Sequence, residues 1–311
     1  PEVEVLSRAH NINRGGAGLV IFRTSEPCSQ SGVQVGESFY PGQTGFFDDP
    51  NVYLAFIALG YQQGTDTAIF VKVADLAGNQ AKSGLNYHLR QKVFRRDRLN
   101  ITDRFLKQKM PDFSSQISQD TNLSLVDKFL KINRDLREAN YQKVAGVCRN
   151  TDPKMHWQGD FLRLPKSATR AKFADHRVYM YKGREIDRQV HMGIDLASVA
   201  HSPIPAANTG IVIFAEFLGI YGKTVILDHG FGLFSMYSHL SHIGVEVGDQ
   251  LVKGDILGRT GITGLAGGDH LHFSMLIRDT FVNPVEWWDT NWIQHNVLSK
   301  IEQAGSAIKQ E

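Results

Sequence analysis

The chain has 311 residues, 42% of them hydrophobic, with 34 Lys+Arg against 32 Asp+Glu and a formal net charge of +2. That apolar share excludes a disordered chain and is enough for two domains with a connector. The interspersed charges leave no basic footprint for nucleic acid, and no uninterrupted apolar run is long enough to span a bilayer. Pro1 rather than Met opens the chain. The expectation is a trimmed or mature form from which a signal peptide or membrane anchor has been removed.

Residues 1–96 read as β. The runs "GLVIFRTSE" (18–26), "SGVQVGESFY" (31–40), "NVYLAFIALGY" (51–61) and "TAIFVKVADLAGN" (67–79) are rich in β-branched and aromatic residues. Pro41-Gly42 and Gly78-Asn79 punctuate them, a spacing that predicts a sandwich. The "D-x-A-G-N" turn is similar to a late hairpin of immunoglobulin-like bacterial modules. Residues 97–152 change character: Leu125, Phe129, Ile132, Leu136 and Val144 recur at helical spacing among charges, which predicts a helical connector. Cys28 and Cys148 have no zinc-knuckle or redox spacing, and their pairing stays open.

From about residue 155 the β signals return, in "TGIVIFAEF", "KTVILDHG" and "LFSMYSHL". In "VEVGDQLVKGDILGRTG" (245–261), two short strands are joined by turns that need Gly248 and Gly254. "WIQHNVLSKIEQAGSAIKQE" predicts a helical tail over 294–311 that frays at its end. "TGLAGGDH" lacks the Lys-Ser/Thr pair and the strand–loop–helix context of a phosphate loop.

"QVHMGIDLAS" (189–198) carries His191 and Asp195 four apart, an even spacing that puts both on one face of an extended chain. "GGDHLHFSMLI" (267–277) puts His270 and His272 on one face and turns Leu271 and Phe273 toward a core. His191, Asp195 and His272 together supply two imidazole nitrogens and one carboxylate oxygen. That is the ligand set of a catalytic zinc site with water in the fourth position, although other first-row metals accept it too. No "H-E-x-x-H" is present, so acid/base work falls to His270 and to His239 in "MYSHLSH".

"H-x-x-x-D" at 191–195, "Y-x-H-L" at 237–240 and "H-x-H-F" at 270–273 resemble, in order and separation, the lysostaphin/LytM-type zinc endopeptidases. The stretches 205–212, 221–230 and 247–264 match as well, so the resemblance covers roughly residues 160–288. It implies an antiparallel β domain with a groove and one Zn2+ per chain held by His191, Asp195 and His272. It implies His239 and His270 as catalytic histidines, and peptidoglycan stem peptides or cross-links as substrate, with a mild preference for a D-alanyl–diaminopimelate bond over a glycine bridge. Peptidoglycan lies outside the cytoplasm, so a periplasmic or secreted location follows. The family's "F-G-x-R" has its nearest counterpart in "FADHR" (173–177), and the tyrosine that some relatives carry before the first histidine is absent. Tyr179 and Tyr181 lie farther back.

The expected architecture is mainly β: an immunoglobulin-like β-sandwich over 1–96, a helical connector over 97–152, a barrel-sandwich-like zinc endopeptidase domain over 153–293, and the helical tail. The amino-terminal part is expected to position the enzyme or to limit access to its groove. The competing reading is a non-catalytic wall-binding or amidase-activating module, against which the intact ligand set argues. A biotinyl or lipoyl carrier is a third, and lacks a hairpin-tip lysine flanked by methionine. His229 and His242 are read as surface or turn histidines, and Trp287, Trp288 and Trp292 as closing a core. The oligomeric state is left open.

Overall fold

The computed structural model describes residues 1–116 and 123–309. Residues 117–122 of the expected connector and 310–311 of the expected tail lie outside the described residues. The chain is mainly β.

The amino-terminal sandwich faces one sheet, Val3–Val5, Ala17–Thr24 and Val52–Ala58, against another, Ser38–Pro41, Cys28–Val35, Ile69–Asp75 and Gln80–Gly84. The run "SGVQVGESFY" breaks into two strands at Gly36, whose φ of +56° suits a tight hairpin. In the "D-x-A-G-N" turn the side chain of Asp75 accepts from Asn79 N and Nδ2, both at 2.8 Å. Ile69–Asp75 alternates buried and half-buried residues, as a strand with one core face does.

Val52–Ala58 is buried throughout, and its far face explains why. Phe56 packs against Trp157 and Trp287 of the carboxy-terminal domain, with ring centroids 6.2 and 6.0 Å away. Trp157, Phe161 and Trp287 are themselves nearly or wholly buried, and Trp288 stacks on Phe273 at 5.6 Å. Truncating such an aromatic to Ala costs about 3–5 kcal/mol, so this seam ties the two domains firmly. Glu286 sits in the same seam, accepting from Asn13 Nδ2 at 2.7 Å and Ala17 N at 2.9 Å. A Cβ on Gly16 would fall 2.4 Å from the Glu286 carboxylate, which is why the chain carries no side chain there.

The connector is helical over Asp103–Lys109, Leu125–Lys131 and Arg137–Val147, with a π-turn at Ile132–Leu136. Thr102 and Ser124 cap the first two helices, accepting from Phe105 N and Asp127 N at 3.1 Å. Phe129, Ile132 and Val144 are buried, on the face their spacing marks. Just before it, Arg96–Asn100 pairs in parallel with His176–Tyr181, which pairs antiparallel with Arg184–Val190. The connector is therefore stitched to the carboxy-terminal domain. The tail is helical through Ser299–Ile308, and Lys300 Nζ donates to His10 Nδ1 of the sandwich at 2.7 Å. Cys28 and Cys148 are both free, and Cys148 is buried.

The carboxy-terminal domain is an open antiparallel sheet ordered Ala168–Ala171, Ile194–Ala197, Leu271–Ile277, Leu233–Leu240, Gly222–Asp228, Gly210–Leu218, Gln250–Leu251. Gly248 and Gly254 take φ of +100° and +102° in the turns that flank Gln250–Leu251.

Candidate functional site

Sheet register brings the candidate residues together. Asp195 lies directly opposite His272 in the pairing of Ile194–Ala197 with Leu271–Ile277. On the other side of that strand, Ser238 lies opposite His272 and His239 follows. The pairing of Leu233–Leu240 with Gly222–Asp228 shifts register here: Tyr237 to Leu240 spans one residue more than Val225 to Lys223. His239 occupies the extra position with φ +65°, a bulge that re-aims its ring. His191 lies in the short link between Arg184–Val190 and Ile194–Ala197, two residues before Gly193. A Cβ on Gly193 would come within 2.6 Å of His272 Nε2 and Ser274 Oγ.

His191 Nε2, His272 Nδ1 and Asp195 Oδ1 stand 2.9 Å from one another. The outer ring nitrogens assign the tautomers. His191 Nδ1 donates to Lys172 O at 3.0 Å. Ser274 Oγ donates to Met192 O at 2.7 Å, so it accepts from His272 Nε2 at 3.1 Å. Each imidazole therefore turns a lone pair inward, toward a carboxylate oxygen. Three acceptors at such separations repel one another unless a cation lies among them. The outer hydrogen bonds are those that orient metal-binding histidines.

Around this cluster, Arg177 Nη2 donates to Asp195 Oδ2 at 2.8 Å. His239 Nδ1 donates to Thr263 O and His270 Nδ1 to Gly268 O, each at 2.8 Å, which frees both Nε2 atoms. The two rings lie 4.9 Å apart, and His270 Nε2 is 3.5 Å from Asp195 Oδ1. Burial lowers the pKa of His239 well below the usual imidazole value, helped by His270 and His272. Burial also opposes charge on His270, but Asp195 outweighs it and the pKa rises. Burial would raise the Asp195 carboxyl, yet the neighbouring His191, His270 and His272 hold it well below the usual carboxylate range.

The cluster lines a cavity of about 320 Å³, closed on the connector side by Phe105, Phe129 and Arg137. Tyr179 lines it too, whereas Tyr181 donates instead to Asp103 at 2.7 Å. Lys109, only 5% exposed, reaches from the connector to Ile262 O and to Gly264 O at 3.1 Å. Those carbonyls flank Thr263, whose own carbonyl anchors His239.

The five candidate residues thus converge. His242 is exposed and outside the cavity, while His229 corrects an expectation. It is no surface histidine: it is fully buried against Phe161, with Nδ1 2.7 Å from Thr209 O and Nε2 2.7 Å from Ser235 Oγ. Sequence reasoning assigned no role to Arg177 or Lys109. "FADHR" held a signal for Arg177; Lys109 had none.

Residues 189–284 match the model of peptidase family M23. This segment is similar to peptidase family M23. Over 97 residues the chain is 35% identical to the DD-carboxypeptidase/endopeptidase Mpg of Neisseria meningitidis, covering 31% of this chain and 22% of that protein. Over 96 residues it is 31% identical to the peptidoglycan DD-endopeptidase ShyA of Vibrio cholerae, again covering 31% and 22%. The match thus spans less than a quarter of either relative. A crystal structure of a candidate peptidase M23 from Pseudomonas aeruginosa aligns with 89% of this chain and 94% of its own at a TM-score of 0.55 and 20% identity. That likeness extends the shared fold beyond residues 189–284 to the sandwich and connector.

Proposed function

We propose that the protein is a zinc-dependent endopeptidase hydrolysing peptide cross-links or stem peptides of bacterial peptidoglycan in the cell envelope. The observation that carries this reading is the convergence of three inward-facing acceptors, His191 Nε2, Asp195 Oδ1 and His272 Nδ1, beside two histidines with free Nε2 atoms. The M23 match and the peptidoglycan DD-endopeptidase relative support the substrate class.

His191, Asp195 and His272 would hold one Zn2+, with an open fourth position. When bound, the ion supplies an acidified water and polarises the scissile carbonyl. His239, kept neutral by burial and pinned through Nδ1, accepts the water's proton at Nε2. His270, whose charged form is favoured by Asp195, donates from Nε2 to the carbonyl oxygen as it becomes negative. Arg177 holds Asp195 in place through the oxygen turned away from the histidines.

The test is to incubate sacculi with and without a chelator and to look for soluble muropeptides. Chelator-sensitive release is expected. No release from sacculi by metal-loaded protein would favour a non-catalytic wall-binding module.

A further inference from the structure

A second cavity, of about 730 Å³, leaves the candidate metal centre past Arg177 and Met192, which line both spaces. Three parts of the chain enclose it. The sandwich loop after Val52–Ala58 supplies Tyr61, the helix Arg137–Val147 supplies Glu138 and Tyr141, and the strands beneath supply Arg96 and His176. Beyond Tyr61 and Phe281 it opens into a further cavity of about 680 Å³ along the sandwich. A continuous trough therefore runs from the candidate site across the domain seam.

Its lining combines positive, negative and aromatic side chains. Arg96 and His176 are paired residues on neighbouring parallel strands, so their side chains stand side by side on one face. Arg95 and Arg188 are engaged with Asp175 and Glu185, whereas Arg96 pairs with no carboxylate among the described residues. The ring of Tyr61 lies against His176 with centroids 6.4 Å apart, and Tyr141 lies against Phe281 at 5.9 Å, two aromatic pairs bordering the trough. Glu138 and Asp279 also line it, which disfavours a uniformly anionic polymer and suits a chain that carries both signs of charge.

Resting on the peptidase reading above, we propose that this trough binds the distal, carboxylate-bearing stretch of a peptide whose scissile bond lies at the metal centre. Arg96 and His176 recognise the carboxylate, and Tyr61 and Met192 support the peptide's apolar atoms. The amino-terminal sandwich is then part of the substrate-binding surface, and substrate length and charge are read across the seam.

The experiment compares the full chain with the double variant Arg96→Ala/His176→Ala, both of whose altered side chains are exposed. The probes are a stem tetrapeptide containing glutamate and diaminopimelate and the same peptide with its carboxylates amidated. Binding is measured by titration calorimetry, and release from sacculi is measured separately. A charge-assisted hydrogen bond is worth enough to make the acidic peptide bind about 10-fold more tightly than the amidated one. The double variant should lose that preference and leave binding of the amidated peptide unchanged. Equal binding of both peptides by the natural chain, or an undiminished preference in the variant, would overturn the proposal. A protein that shows the preference but releases nothing from sacculi would sink the peptidase reading and leave the trough standing. One that cuts sacculi without the preference would do the reverse.

Discussion

Arg177 donates to Asp195 Oδ2 at 2.8 Å and so leaves Asp195 Oδ1 to His191 and His272. Partners behind a metal ligand fix its orientation, and removing one typically costs about 10–100-fold in metal affinity. Arg177→Met should weaken zinc binding on that scale, read by competition against a chromogenic chelator. An unchanged affinity would mean the carboxylate is held by the backbone alone.

His239 and His270 hold their free Nε2 atoms toward the cavity without belonging to the three-acceptor cluster. His239→Ala and His270→Ala should each retain stoichiometric zinc and lose about 10²–10⁴-fold in turnover. His191→Ala should lose both. Metal analysis alongside muropeptide release separates the two classes.

Lys109 grips the carbonyls on either side of Thr263 and so holds the loop that aims His239. Lys109→Met should lower kcat by about 10-fold or more with zinc content and KM unchanged, since small misplacements of a catalytic group are costly. Lys109→Arg, which keeps the charge and donors, should recover part of the loss. A change confined to KM would assign the connector to access rather than alignment.

Burial lifts the Glu286 carboxyl from 4.5 to about 6, against the hydrogen bonds from Asn13 and Ala17. The native state therefore binds this proton more tightly than the unfolded chain, and stability falls as pH rises from about 4.5 through 6, by about 2 kcal/mol. Glu286→Gln should remove that slope. The check is the difference between the pH-dependent denaturant midpoints of the natural chain and the variant; parallel curves would refute it.

Much of this was legible because strands alternate. The even spacing of His270 to His272 marks a shared face, and the ordered motifs supply which faces meet. His191 sits instead in the link before Ile194–Ala197, so alternation along one strand did not place it beside Asp195. Gly78, Gly248 and Gly254 marked turns in the sequence and each adopts a positive φ, whereas Gly36, which also does, splits a run that reads as one strand. Hidden were features made by long-range contact. His229 looks like a turn residue in "DHG", yet the packing of Phe161 over it buries it. Lys109 belongs to no motif in the connector sequence, and only the fold turns it inward. The bulge at His239 depends on register with Lys223 and Val225, which no local pattern encodes.

The central claim is a single cation shared by His191, Asp195 and His272, and elemental analysis of the purified full chain tests it most directly. One zinc per chain is predicted, falling to none in His191→Ala together with hydrolysis of sacculi. Full hydrolytic activity in protein stripped of metal, or no metal uptake at micromolar zinc, would contradict it.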